Sequence, residues 1–282
     1  MTPRTAIGGL PLDERIKFTV LTPTYNRAHL LPRVYESLCA QTFREFEWLV
    51  IDDGSTDGTR QLLSNWKPDF PIHYVWKPNG GKHTALNLGA KLAVGEFIVI
   101  TDSDDRPLAH ALERFDYQWR QIPNPERFAF LTGLCLQEDG KTILGSRFPA
   151  EVVDVFTPGD GIALCDTDRW GIVRTDVLRQ FPFPVYAGEN FMLEGVVWNR
   201  ILCRYGSRYF NEPLKIAGYA PGGLSSSGDL RPSNPRGASL YYRELAFVPG
   251  IPALVRAKAA INAGRFWGHS VIRKWRRSGS SK

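Results

Sequence analysis

The chain has 282 residues, 43% apolar and 23% charged, which is ordinary for a soluble globular protein and enough for one α/β core with an appendage. No stretch approaches the ~18 uninterrupted apolar residues of a spanning helix, and Met1 to Asp13 lacks the apolar run of a secretory leader, so the expected location is cytoplasmic. The net charge is +6, but eight basic residues follow Glu244 with no acidic one among them; without them 27 basic residues face 29 acidic ones, which argues against a nucleic acid partner and places the basicity in the tail.

Ile16 to Thr22 has the apolar and β-branched pattern of a strand, stopped by Pro23. Leu30, Leu31, Val34, Tyr35 and Leu38 follow at helical spacing. A strand at Phe46–Ile51, a helix at Thr59–Trp66, a strand at Ile72–Trp76, a helix at Thr84–Ala93 and a strand at Phe97–Thr101 complete an alternation that predicts a mostly parallel sheet covered by helices. Leu108 to Arg120 predicts one more helix. Phe128–Gln137 and Lys141–Leu144, joined at Asp139-Gly140, read as a strand pair. Gly171–Leu178 reads as a strand and turn, Met192–Tyr205 as a helix and Arg208–Ile216 as a strand. Tyr219 to Ser239, rich in Gly, Ser and Pro, reads as a mobile loop. Cys39, Cys135, Cys165 and Cys203 lack metal-site spacing and read as buried, reduced thiols.

Polar clusters close three of the strands: Pro23-Thr24-Tyr25-Asn26-Arg27, Asp52-Asp53-Gly54-Ser55-Thr56-Asp57-Gly58-Thr59, and Asp102-Ser103-Asp104-Asp105. In a parallel sheet such points share one edge, where ligands bind. Carboxylates at the tip of the apolar run Phe97–Thr101 call for a cation, and Mg²⁺ or Mn²⁺ carrying a diphosphate suits them. Asn79-Gly80-Gly81-Lys82-His83 adds a glycine turn opening a helix, where the helix dipole and Lys82 favour negative charge. This is neither a Walker loop nor a Gly-x-Gly-x-x-Gly dinucleotide turn.

These four segments, in this order, resemble family 2 glycosyltransferases, which are inverting enzymes of the GT-A fold. The resemblance is strong to about Pro107, weaker to about Tyr219 and absent in the tail. It implies an α/β three-layer sandwich over residues 1–244, with a nucleotide-binding half at about 16–107 and an acceptor half at about 108–244, followed by a basic helical extension at 245–282. It implies a nucleotide-sugar donor (UDP-, GDP- or dTDP-linked), Mn²⁺ or Mg²⁺, and a hydroxyl acceptor in surface polysaccharide or glycolipid synthesis. Pro23, Thr24, Tyr25 and Arg27 would line the nucleotide pocket, Asp53 would contact the base, and Lys82 would lie near the phosphates. Asp104 resembles the metal-coordinating aspartate of the "DXD" motif, with Asp102 supporting ribose or metal and Asp105 a further candidate. The competing readings are a nucleotidyltransferase, which would show a Gly-rich, basic loop after the first strand, and a non-catalytic carbohydrate-binding protein of the same fold.

Inverting transfer also needs a carboxylate base facing the acceptor. The family offers a Glu-Asp pair just before a helix. Here Glu194 fits, but Gly195 stands where the aspartate would be. Glu194 is therefore the expected base and Glu189 the second candidate, with Asp166 and Asp168 also open. Trp170 and Trp198 are candidates to stack on acceptor sugars, core packing being the alternative for Trp198. In the tail, Trp267, Val271 and Trp275 recur every fourth residue with Ile272 beside them, among Arg265, Arg273, Lys274, Arg276 and Arg277. That pattern suits a helix lying on an anionic membrane surface, or one packed on the domain.

Overall fold

The structure, a computed structural model, describes residues 5–7, 16–219 and 228–279, with side chains described for 16–219 and 228–273. In its N-terminal half, strands β2 (Phe18–Thr24), β3 (Phe46–Asp52), β4 (Ile72–Trp76) and β5 (Phe97–Ile100) alternate with helices α1 (Leu31–Cys39), α2 (Thr59–Ser64) and α3 (Lys82–Leu92). Their order, β4-β3-β2-β5, is parallel throughout, and β1 (Thr5–Ile7) closes the outer edge antiparallel to β4. Every residue of β2 and β3 is buried. That follows from two covered faces: Phe18, Val20, Trp48, Val50, Phe97 and Val99 enter one core, while Leu21, Leu49, Ile51 and Ile98 enter the other.

Beyond β5 the sheet is mixed rather than parallel. The short β6 (Arg106–Pro107) and α4 (Ala111–Arg120) lead to β7 (Phe128–Leu136), β8 (Val152–Val155), α5 (Pro158–Leu164), β9 (Trp170–Arg174), α6 (Thr175–Gln180), α7 (Gly195–Leu202) and β10 (Gly206–Ile216). β9 inserts antiparallel between β5 and β7, and β10 then runs parallel to β7. The described strands form one ten-stranded sheet. Helices α1 and α4 pack on one face, and α3, α6 and α7 on the other.

Several boundaries differ from the sequence expectation. β2 runs through Pro23, because pairing with β5 ends at Leu21 and the missing proline N–H takes no ladder bond on that side. The expected strand at Lys141–Leu144 is reduced to a single bridge between Leu136 and Ile143, since Asp139 draws the Lys141 and Thr142 amides into a turn. Gly171–Leu178 divides into β9 and α6. The loop expected over Tyr219–Ser239 gives way at Pro235 to α8 (Pro235–Leu245), Pro being well placed in a first helical turn; residues 220–227 lie outside the described ones. Of the cysteines only Cys135 is buried; Cys165 and Cys203 are exposed because they are the C-terminal caps of α5 and α7.

The tail forms the long helix α9 (Ala253–Gly279), which packs on α8. Ala259 and Phe266 are buried, Phe266 stacks on Tyr242 with ring centroids 5.7 Å apart, and Ser239 Oγ donates to the Ala263 carbonyl at 2.9 Å. Trp275 lies beyond the described side chains.

Candidate active site

The tips of β2, β3 and β5 and the start of α3 open into one cleft of about 1160 Å³, walled opposite by the segment from Asn190 to Asn199. Pro23, Thr24, Tyr25, Arg27, Asp53, Lys82, Asp102, Asp104, Asp105 and Glu194 all border it. Residues from five separate stretches of sequence thus meet at one sheet edge, as expected for strand-end clusters in a parallel sheet.

Two strand-end loops, after β2 and β3, shape one side of the cleft. Asn26, at φ 52°, accepts the Thr56 amide at 2.8 Å, and its own N–H donates to Ser55 Oγ at 2.8 Å. Asp52 is structural: it is buried, accepting Ser55 N and the Tyr74 hydroxyl at 2.7 Å each. Asp53 shapes the glycine turn, accepting Gly80 N at 3.0 Å and Gly81 N at 2.7 Å and pairing with Lys77. A carboxylate offers about four lone-pair sites, so one is left for a ligand donor. Thr24 Oγ1 and His83 Nδ1 are buried at the cleft without partners among the described residues. Such orphans are uncommon in a native interior and fit a site that a polar ligand completes. Burial lowers the His83 pKa, keeping the ring neutral near pH 7.

The acidic turn after β5 is organised by two lysines. Lys82 Nζ lies 2.8 Å from Asp102 Oδ2 and 2.8 Å from Glu194 Oε1, so the two carboxylates are no farther apart than two such bonds. Burial opposes the ammonium charge, but the two carboxylates outweigh it and hold Lys82 protonated above its usual range. Burial likewise opposes the Asp102 charge and is outweighed by Lys82, so that carboxyl sits below its ordinary pKa. Asp105 is differently engaged. It is buried and accepts Lys215 Nζ at 2.6 Å and Gly218 N at 3.2 Å, a structural ion pair that leaves it unsuited to the metal role expected for it. Burial resists the charge on Lys215, yet Asp105 keeps it protonated.

The structure separates the base candidates. Glu194 faces the cleft at the start of α7. Glu189 does not: its two oxygens accept the Arg236 and Gly237 amides at 2.9 Å each, capping α8 where the helix dipole favours a carboxylate. Asp166 is held at the surface by Ser146 N and Arg169. Asp168 borders the cleft and accepts the Tyr219 hydroxyl at 2.8 Å, which with burial pushes the Tyr219 pKa up to about 12. Trp198 is partly buried against the core, edge-on to Phe130 and Phe183, and Trp170 is buried with Nε1 donating to Ile100 O at 2.7 Å; both border the cleft. Tyr241 of α8 also borders the cleft, beside Gly195. Nothing in the sequence around Tyr241 marks it, because its place depends on the packing of a distant helix.

The donor set suits a hard divalent cation. Asp102 and Asp104 present carboxylates to the cleft on one turn, Asp102 with its Oδ2 engaged by Lys82. No cluster of three or more His, Cys, Asp or Glu occurs among the described residues. A metal here would therefore complete its shell with diphosphate oxygens and water, the usual habit of Mg²⁺ at phosphate sites.

The family model described as glycosyl transferase family 2 matches residues 19–121. A Campylobacter jejuni protein named GalNAc(5)-diNAcBac-PP-undecaprenol beta-1,3-glucosyltransferase is 35% identical over 129 residues, 43% of this chain and 39% of that protein. The chain spans about 15% of the length of the first curated relatives it matches. Among solved structures, Staphylococcus aureus TarS 1–349 in complex with UDP-GlcNAc superposes with a TM-score of 0.67 at 23% identity, covering 89% of this chain and 72% of that one. Mannosyltransferase PcManGT from Pyrobaculum calidifontis, in complex with GDP-Man and Mn²⁺, superposes with a TM-score of 0.58 at 18% identity, covering 94% of this chain and 79% of that one. The fold is thus shared along nearly the whole chain with these two glycosyltransferase structures, and residues 19–121 match the glycosyl transferase family 2 model.

Proposed function

We propose that the protein is an inverting glycosyltransferase that moves a sugar from a nucleotide-sugar to a hydroxyl acceptor in surface polysaccharide or glycolipid synthesis. The observation that carries this reading is the Lys82 bridge, which puts the aspartate of the acidic turn and a candidate base at one cleft. Thr24 and the last lone pair of Asp53 meet the nucleoside. Glu194 takes the acceptor proton as the acceptor oxygen bonds to the anomeric carbon. The bond from that carbon to the diphosphate breaks, its electron pair leaving with the phosphate, and the configuration inverts. Lys82 sets positive charge where the leaving group gathers negative charge. Asp104 and Asp102 would hold Mn²⁺ or Mg²⁺, which when bound supplies Lewis-acid neutralisation of the diphosphate.

The direct test is a screen of UDP-, GDP- and dTDP-sugars with Mn²⁺ or Mg²⁺, reading transfer and donor hydrolysis. Absence of turnover together with absence of nucleotide binding would refute the reading. Asp104→Ala is expected to lower transfer about 10²–10³-fold and to abolish the difference in nucleotide affinity between Mn²⁺ and EDTA buffers. An unchanged Mn²⁺ dependence in titration calorimetry would remove Asp104 from the metal role.

A lipid-linked acceptor fits the tail. No described helix is long and apolar enough to cross a membrane. α9 instead leaves Trp267 65% and Ile272 55% exposed beside Arg265 and Arg273, while its opposite side packs on α8. This is the composition of a helix lying in an anionic interface. Trp267→Glu or Ile272→Glu should each weaken binding to phosphatidylglycerol vesicles about tenfold without lowering Tm. Vesicle sedimentation equal to wild type would leave α9 with a packing role alone.

A further inference from the structure

Gly195 is the first residue of α7, directly after Glu194. A Cβ built on it would lie 2.8 Å from Cε2 of Tyr241. Real Cβ atoms do not approach that closely, so any side chain at 195 and the present Tyr241 ring exclude one another. The ring occupies the space beside Glu194 that the expected aspartate would have needed. It is partly exposed and borders the cleft.

The helix carrying this ring is fastened to the segment bearing Glu194 at several points. Glu189 caps α8 through Arg236 N and Gly237 N. Asn234 Oδ1 accepts the amides of Asn190 and Phe191 at 2.9 and 3.1 Å. Glu244 holds Arg200 of α7 in a two-bond fork at 2.6 and 2.9 Å. Tyr241 is therefore positioned by the same elements that position Glu194, and not by the loops that build the nucleotide side. A base must face the acceptor hydroxyl, so the surface next to it is where the acceptor ring rests. A partly exposed aromatic face is well suited to the apolar C–H face of a sugar, while its hydroxyl end stays polar. Burial, with Tyr242 adding to it, raises the Tyr241 pKa, so the phenol is neutral at working pH.

The geometry points to Tyr241 as an acceptor-binding residue: its ring, admitted by the absence of a side chain at Gly195, forms the platform on which a pyranoside acceptor sits beside Glu194. The inference rests on the glycosyltransferase reading and adds the chemistry of its second substrate site.

The test uses the full chain with Mn²⁺. Titration calorimetry with UDP, GDP and dTDP identifies the nucleoside diphosphate it binds. Saturation-transfer NMR on the nucleotide-loaded protein then measures binding of methyl β-glycosides of glucose, galactose, N-acetylglucosamine and N-acetylgalactosamine. Wild type is expected to hold at least one of them. Tyr241→Ala and Tyr241→Leu should weaken that glycoside at least tenfold while nucleotide Kd moves less than twofold, and Tyr241→Phe should stay near wild type. Gly195→Ala should displace the ring and reproduce the loss, with no further loss in Gly195→Ala/Tyr241→Ala. The inference is overturned if no glycoside binds, if Tyr241→Leu binds it like wild type, if the two losses multiply, or if nucleotide affinity falls in parallel. Failure of wild type to bind any of the three nucleoside diphosphates would instead bring down the glycosyltransferase reading itself.

Discussion

Glu194→Gln is expected to lower the transfer rate about 10²–10⁴-fold, the contribution typical of a positioned general base, while leaving nucleotide affinity within about twofold. Glutamine keeps the shape of the side chain, and its amide oxygen can still accept from Lys82 Nζ, now 2.8 Å from Glu194 Oε1. What it loses is the ability to take a proton. A fall in kcat with an unchanged nucleotide Kd therefore isolates base chemistry from packing. Glu189→Gln is the contrasting variant: its oxygens hold the α8 amides, so its substitution should lower Tm before it lowers kcat. Transfer at the wild-type rate by Glu194→Gln would end the base assignment.

Gly81→Ala should be the most damaging small substitution in the N-terminal half. Gly81 sits at φ 91° and ψ 155°, a backbone region nearly closed to other residues, and a Cβ there would fall 1.8 Å from the Asn190 carbonyl oxygen. The strain and the collision together should cost about 3–5 kcal/mol, placing it among the severe point mutations. That corresponds to a fall in Tm of about 10 °C for a domain of this size. Donor affinity should fall as well, because Gly81 N is one of the amides fixed by Asp53. Gly58→Ala is the control: Gly58 has φ −72° and nothing within 4 Å of an added Cβ, so its Tm should stay within about 2 °C. Equal melting temperatures for the two variants would show that the contact between the glycine turn and Asn190 is dispensable.

The first half of the sheet is readable in the sequence because its signals are local. Phe46–Asp52 and Phe97–Ile100 are short apolar runs ending in acids, and Ile72–Trp76 matches its expected span residue for residue. Their loops carry chemistry in plain view. The second half is less readable because its order is set over long separations. Nothing local to Trp170–Arg174 says that it enters between β5 and β7, since its partners lie 37 to 77 residues earlier in the chain. Glu189 and Glu194 look alike in the sequence; only the arrival of α8 separates them, binding one as a cap and leaving the other in the cleft. Asp105 was drawn toward the metal by its neighbours, but the return of β10 brings Lys215 to it. Tyr241 carried no signal at all.

The antiparallel entry of β9 has a consequence for how the chain comes to be folded. Until residue 170 has left the ribosome, β5 has a partner only in β2, and Phe97-Ile98-Val99 presents an unpaired apolar edge. Open edges of this kind recruit other strands, and growing chains are most vulnerable while they persist. The segment 19–121 is thus recognisable in sequence but not structurally self-sufficient. Its strand β5 is sealed by a segment made later, so the first half of the sheet reaches its final form only when the second half has been synthesised.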